Sequence, residues 1–498
     1  MDVLIINPNT INQVYQNLGN QLAAIETPIW AGLLANFLRW RNYDVAVLDA
    51  EAEGLMFDET AQRIPVYKPR LIVITVYGHQ PSASTQNMEA ASVLARTIKT
   101  TEPGSKILLV GNHISALPKR TLSEEEADFV CQGEGPYTIA GLLSINMNDP
   151  VQYAKVPGLW YRMNGQPYFS YPAPLVPQKR LTIELPGVAY DLLPMDKYRA
   201  HNWHCFGAIQ KRQPYASLYT SLGCPFRCNF CCINAVFGKP GYRYWEPQLI
   251  VEQFDLLALK HNVRNIKIAD ELFVLNENHF LPICKLLAER NHGLNIWAYA
   301  RVDTIKPAYL EILKTAGVNW LALGIESGSE LVRNGVHKGR FGQSEIRRIV
   351  RQIQESGINV IGNFIFGLPD DNYDTMQETL ELALELNCEM VNFYSAMAYP
   401  GSQLYDLASK NDWQLPETWL GYSQHAYETF PLPTRHLTAG QVLAFRDYAW
   451  QSYFTNPSYL EFVKEKFGWE TYEHIVKMMQ YSLSRKYADS SFIPSVHA

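Results

Sequence analysis

Short apolar runs alternate with amphipathic stretches along most of the chain. Residues 3–7 read as a buried strand, and a helical pattern follows over 28–41. Further strands are predicted at 45–48, 71–77 and 106–110, with a helix over 89–99. Strand–helix alternation of this kind builds a parallel sheet covered on both faces, so its strands are apolar almost throughout. Such sheets take ligands at the carboxyl ends of their strands. The loops there hold Asn7-Pro8-Asn9-Thr10, residues 78–84, Gly111-Asn112-His113 and Gly133-Glu134-Gly135. No G-x-G-x-x-G fingerprint follows the first strand, which argues against a nicotinamide or flavin dinucleotide.

Periodicity weakens over 146–210, a stretch rich in Pro, Tyr and Asn that reads as a connector with a few edge strands. Alternation resumes with strands predicted at 215–221, 265–268, 295–300, 320–324, 359–366 and 390–395. Helical patterns at 248–261, 306–316, 344–356 and 375–386 separate them. Strand–helix pairs in that number suit a partial barrel. Helices rich in aromatics follow at 438–453, 458–466 and 469–484. The predicted fold is α/β: a doubly wound, flavodoxin-like domain (1–145), a linker (146–210), a partial (β/α)6 TIM-like barrel (211–430) and a C-terminal helical cap (431–498). A length of 498 residues agrees with about three domains at ~150 residues each.

Composition narrows the function classes. Hydrophobic residues at 47% and charged residues at 18% supply large cores and exclude general disorder. A net charge of −6 argues against a nucleic-acid partner. The longest apolar run, 71–77, is far short of the ~18 residues that a membrane span needs. No basic segment precedes an apolar one at the start of the chain, so the expected location is cytoplasmic.

The 8 cysteines are unevenly placed: Cys224, Cys228, Cys231 and Cys232 crowd into one loop, and the others are scattered. A disulfide framework would spread its partners. Cys224, Cys228 and Cys231 have C-x3-C-x2-C spacing directly after the first barrel strand. Soft thiolates in a tight loop select zinc, Cu(I) or an iron–sulfur cluster. Structural zinc wants four ligands, usually from two separated motifs, and no second motif exists here. Cys232, adjacent to Cys231, is poorly placed as a fourth. Three thiolates suit a 4Fe–4S cluster with one iron left open to another ligand.

With these residues the chain resembles the radical S-adenosylmethionine (SAM) enzymes that carry an N-terminal, Rossmann-like cobalamin-binding domain. The resemblance spans about residues 1–410 and implies that SAM chelates the open iron and is cleaved to a 5′-deoxyadenosyl radical. It further implies SAM contacts at Phe230, Asp270, Glu271, Arg301, Glu326, Ser327 and Asn363. Four of these have a plainer alternative: an aromatic wedge for Phe230, a helix cap or solvated pair for Asp270-Glu271, and an ion pair with Asp303 or Glu326 for Arg301.

Relatives that ligate cobalt through histidine carry D-x-H-x-x-G after the first strand, where this chain has Asn7-Pro8-Asn9-Thr10. Cobalamin is still implied, held by strand-end loops with no histidine below the cobalt. The implied contacts are Thr75, His79, Ser82, Ser84, Gly111, His113, Gly133, Glu134 and Gly135, with helix capping the alternative for Ser82 and Ser84. The leading functional reading is a methyltransferase that uses the 5′-deoxyadenosyl radical and methylcobalamin to methylate an unactivated carbon, or phosphorus, of a small molecule. The alternatives are a radical SAM cyclase or rearrangement enzyme of the same architecture and a non-catalytic cobalamin or Fe–S sensor. An external one-electron reductant of the flavodoxin or ferredoxin type is the implied partner.

Overall fold

The computed structural model describes residues 1–16, 22–78 and 80–493. Its first sheet contains β1 (Val3–Asn7), β2 (Val45–Asp49), β3 (Leu71–Val76), β4 (Ile107–Gly111) and β5 (Phe129–Cys131), parallel and in the order β2-β1-β3-β4-β5. The strand order reverses between β1 and β3, which is where a doubly wound sheet opens its ligand crevice. A hairpin of β6 (Leu159–Met163) and β7 (Gln166–Phe169) extends the sheet antiparallel from β5. The hairpin lies in the stretch of weak periodicity. Its strands are short, and β7 lies at the sheet edge with half of its residues exposed, so they carry no sustained apolar run.

Beyond the hairpin come β8 (Tyr215–Leu218), the two-residue strands β9 (Ser221–Leu222) and β10 (Arg243–Tyr244), and then β11 (Asn265–Ile268). β12 (Asn295–Arg301), β13 (Val318–Glu326), β14 (Asn359–Phe366) and β15 (Met390–Ser395) follow. β8, β11, β12, β13, β14 and β15 form one parallel sheet in that order, a partial barrel, while β9 pairs with β10 separately. The expected strand 215–221 breaks after Leu218, because the chain turns there to bond a carboxylate described below. The expected helix over 469–484 stops at Met478.

Amphipathic spacing explains the outer layer. Helix Gln343–Glu355 buries Ile346, Ile349, Val350 and Ile353, one stripe of a 3.6-residue repeat. Alternate residues of β1 and β3 serve different cores: Leu4, Ile6, Ile72 and Ile74 pack under the outer helices, and Val3, Ile5, Leu71 and Val73 pack under helix Ile29–Arg39. That second core runs without a break into the barrel. Residues 201–206 plug the amino end of the barrel. Trp203 lies edge-on to Trp297 (5.1 Å) and Trp320 (5.6 Å), and His204 Nε2 bonds the Asn295 carbonyl at 2.9 Å. The His-Asn-Trp-His-Cys stretch is therefore a floor. Helix Ala439–Phe454 closes the side against β14 and β15.

Close strand packing gives Gly111 a structural reason. A Cβ there would sit 2.1 Å from the Val76 carbonyl oxygen, and both partners are backbone. Gly111→Ala should destabilise the protein by roughly 1–3 kcal/mol, the range for a forced core clash. Denaturant unfolding checks this, and an unchanged midpoint would show that β3 and β4 separate easily.

Candidate active site

The cysteine loop begins where β9 ends. Gly223 turns it at φ +83°, and a Cβ at that position would meet the Gly241 carbonyl at 2.8 Å. Cys224, Cys228 and Cys231 are half-buried and Cys232 is buried. The loop is pinned by Cys231 N to Cys228 O (3.1 Å) and Gly241 N to Cys224 O (3.2 Å). Among the described residues, no three His, Cys, Asp or Glu side chains converge tightly enough to hold a single metal ion. A zinc site requires that convergence. A four-iron cluster instead takes one thiolate per iron.

Above the loop lies a cavity of about 240 Å³ lined by Phe230, Cys231, Glu271, Arg301, Glu326 and Asn363. Arg301 donates from Nε and Nη2 to Asp303, both at 2.8 Å, and also to the Lys338 carbonyl. Its Nη1 stands 3.6 Å from Cys228 Sγ and its guanidinium 3.9 Å over the Phe226 ring. The Asp303 pair is thus realised, and it holds a positive charge against the Cys228 thiol. Glu326 sits at φ +68°, where the β13–β14 register breaks, and accepts from Lys338 Nζ at 2.6 Å. A left-handed non-glycine residue at a cavity wall marks stored strain of the kind found at functional sites. Asn363 is fixed by donating to Leu323 O (3.2 Å) and accepting from Asn392 (3.0 Å). Burial, with Asp270 beside it, pushes the Glu271 carboxyl up to about 8.

Asp270 and Ser327 do not line this cavity. Asp270 is fully buried and accepts from Thr220 N (2.6 Å), Thr220 Oγ1 (2.5 Å), Ser221 N (3.1 Å) and Ser221 Oγ (2.6 Å). It fastens the turn that leads into the cysteine loop. Ser327 bonds Thr379 Oγ1 (3.1 Å) and the Ser329 amide (3.1 Å). Sequence reasoning missed Lys338, Tyr299, Tyr394, Tyr399 and Gln424, which complete the cavity. The tyrosines at 299 and 394 carried a signal: polar-tipped rings on strands whose neighbouring residues are apolar.

The carboxyl ends of the two sheets face each other across a crevice. Tyr77 and Pro81 after β3 and Asn112 after β4 oppose Tyr219, Gly223 and Glu271 of the barrel. Trp30 stacks on Tyr77 at 4.8 Å. Among the described residues Asn112 Nδ2 is buried there without an acceptor, a spare donor that suits a ligand rich in amide carbonyl groups such as cobalamin. Ser82 lines the cavity next to the cysteine loop, and Thr75, which bonds Ile6 O at 3.1 Å, lines a small pocket beside the crevice.

The other strand-end residues have partners within the protein. Ser84 donates to Val76 O and accepts from His113 N (2.9 Å). His113 is buried edge-on against Trp419 (4.4 Å), and burial pushes its pKa down to about 3. Gly133 bonds Ser115 Oγ (3.1 Å), and Gly135, at φ +102°, starts helix Pro136–Leu143. Glu134 pairs with Arg243 (2.5 Å) and accepts from Val176 N (2.9 Å), joining the first sheet to the barrel. His79 lies outside the described residues.

The Asp270 clamp generates a testable expectation. Asp270→Ala strands two amides and two hydroxyls, and should cost roughly 2–4 kcal/mol and lower the iron content of anaerobically reconstituted protein. Asp270→Asn keeps the acceptor for both amides and should retain most iron. Equal iron loss in both variants would point to a direct role for the charge.

Comparison with known proteins agrees with this geometry. The Radical SAM superfamily model matches residues 218–383, and the B12 binding domain model matches residues 17–143. The chain is 27% identical over 490 residues to the uncharacterized methyltransferase PH0819 of Pyrococcus horikoshii, covering 98% of this chain and 99% of that one. It is 26% identical to the anaerobic magnesium-protoporphyrin IX monomethyl ester cyclase of Rubrivivax gelatinosus, covering 81% of this chain and 69% of that one. The fold matches the solved structure of the radical S-adenosylmethionine methyltransferase TsrM from Kitasatospora setae, with cobalamin and a [4Fe-4S] cluster bound. That match has a TM-score of 0.67 at 16% identity and covers 92% of this chain and 90% of that one. The chain thus carries a B12 binding domain followed by a radical SAM domain, and these two domains imply a 4Fe–4S cluster, SAM and cobalamin as its cofactors.

Proposed function

We propose that this enzyme transfers a methyl group to an unactivated carbon, or phosphorus, of a small molecule. The observation that carries the reading is the way its cavities join. The cavity at the cysteine loop shares Tyr299, Asn363, Tyr394, Gln80 and Ser82 with a second chamber of about 340 Å³ inside the barrel. Gln80 and Ser82 come from the loop after β3, so the B12-binding side reaches the waist between the two spaces. A substrate in the inner chamber would meet both cofactor sides at that waist.

When bound, the cluster and SAM supply a 5′-deoxyadenosyl radical, and cobalamin supplies the methyl carrier. The chain's own residues bind, orient and exclude water. Cys224, Cys228 and Cys231 are the proposed cluster ligands, with Arg301 holding positive charge beside Cys228. Phe230, Glu271, Glu326 and Asn363 are the proposed SAM contacts, and Asp270 and Ser327 are positioning residues. On the B12-binding side Ser82, Thr75 and Asn112 are the proposed contacts. Ser84, Gly111, His113, Gly133, Glu134 and Gly135 shape the strand ends, and His113 under Trp419 is not a cobalt ligand. The units that would do this are 1–145, 211–430 and the cap 431–498, joined through 146–210. No described helix is long and apolar enough to cross a membrane. A cytoplasmic location and a small flavodoxin- or ferredoxin-type reductant complete the proposal.

The likeness to a relative named as a cyclase supports the second reading, ring closure or rearrangement without methyl transfer. Product stoichiometry separates the two. With substrate and reductant, methyl transfer should yield S-adenosylhomocysteine and 5′-deoxyadenosine in near-equal amounts and a product heavier by one methylene. Deoxyadenosine without S-adenosylhomocysteine or added mass would favour the cyclase. Cys228→Ala should end deoxyadenosine formation, and Cys232→Ala should leave most of it. The reverse pattern would overturn the ligand assignment.

A further inference from the structure

The inner chamber has one end at the waist and another under the C-terminal helices. At that second end Arg446, on helix Ala439–Phe454, is 5% exposed and lines the chamber. Its Nε donates to the Phe393 carbonyl at 2.8 Å and its Nη1 to Asp447 Oδ1 at 2.7 Å. Its Nη2 donates to no described residue. His425 lines the chamber beside it, and neither of its ring nitrogens has a hydrogen-bond partner among the described residues. The guanidinium is locked in place. Arg485 holds Asp447 from the far side through Nε (2.9 Å) and Nη2 (3.0 Å), and the Trp450 ring flanks Arg446 at 5.6 Å.

A guanidinium fixed by two bonds, with a further N–H facing a chamber, is a ready donor for an anionic ligand. Two arginines against one aspartate leave one positive charge at this end of the chamber. The buried Lys267, elsewhere on the wall, is already paired with Glu26 at 2.9 Å. The chamber wall includes Trp203, Phe393, Met390 and Met478 among polar residues such as Asn392 and Gln424, which suits an amphipathic molecule. We propose that Arg446 anchors the carboxylate of an amphipathic organic acid, with His425 beside it, so that the apolar part extends to the waist where methylation occurs. One surplus charge matches a carboxylate better than a phosphate or phosphonate dianion. Asp447 and Arg485 are positioning residues for this anchor.

The inference rests on the inner chamber being the substrate site, but its test needs no turnover. Reconstituted full-length protein is titrated with 3-phenylpropanoate, its primary amide and 2-phenylethylphosphonate, followed by isothermal calorimetry. The carboxylate should bind, the amide about ten- to a hundredfold more weakly, as loss of a charge-assisted hydrogen bond requires, and the phosphonate no more tightly than the carboxylate. Arg446→Gln should erase the preference for carboxylate over amide, and Arg446→Lys should restore part of it. Equal binding of acid and amide, tighter binding of the phosphonate, or no binding of any probe to the wild-type protein overturns the anchor without bearing on SAM cleavage. A carboxylate preference that survives Arg446→Gln in folded protein overturns the assignment to Arg446. Failure of methyl transfer with the carboxylate preference intact would leave the anchor standing and remove only the reaction assigned to the site.

Discussion

The crevice and the cavity at the cysteine loop stand at the carboxyl edges of two parallel sheets, and the arrangement depends on those edges being held face to face. Among the polar ties between them is the Glu134–Arg243 pair, beside the buried Glu26–Lys267 pair. A buried pair contributes little net stability over an apolar replacement, yet leaving one partner unpaired costs roughly 3–5 kcal/mol. Its main effect is therefore geometric. The Trp30–Tyr77 stack and the unbroken apolar core supply adhesion, and the ion pair selects one relative placement of the sheets.

The same division of labour recurs within the barrel. Cavity walls are set by the side chains that hold their neighbours in place. Asp270 fixes the turn before the cysteine loop, Lys338 holds Glu326 in its left-handed conformation, and Asn392 holds Asn363. Buried polar groups with complete sets of partners are rigid, because any displacement breaks several bonds in a low-dielectric interior. A radical site benefits from that rigidity, since an unpaired electron reacts with whatever it meets. Tight walls determine what that is.

The barrel strands were legible because buried parallel strands write themselves as apolar runs, and β11, β14 and β15 fall where those runs do. The cysteine loop was legible because its chemistry is local in sequence. The clamps were not. Asp270 finds its donors 50 residues earlier, and nothing around Thr220 or Ser221 announces an acceptor. The pairing of Glu134 with Arg243 spans 109 residues, so a strand-end glutamate reads as ligand-facing until its partner is seen. Lys267 in the run Asn-Ile-Lys-Ile did carry a signal, a lone charge pointing into a barrel, although Glu26 as its partner lies outside the barrel segment.

Closure of the inner chamber by Arg446, Trp450 and Arg485 also bears on how the molecule is made. These residues follow the barrel's final strand β15 by some fifty positions or more. At roughly 5–20 residues per second, a translating ribosome leaves the finished sheet uncapped for several seconds. During that interval Trp203, Trp297 and Tyr299 face water, and the nascent barrel resembles an open apolar bowl. Protection in that interval must come from the N-terminal half, already complete, whose helix Ile29–Arg39 and loop after β3 can dock before the cap arrives. The early domain thus acts as a companion to the later one during birth as well as its working partner afterwards.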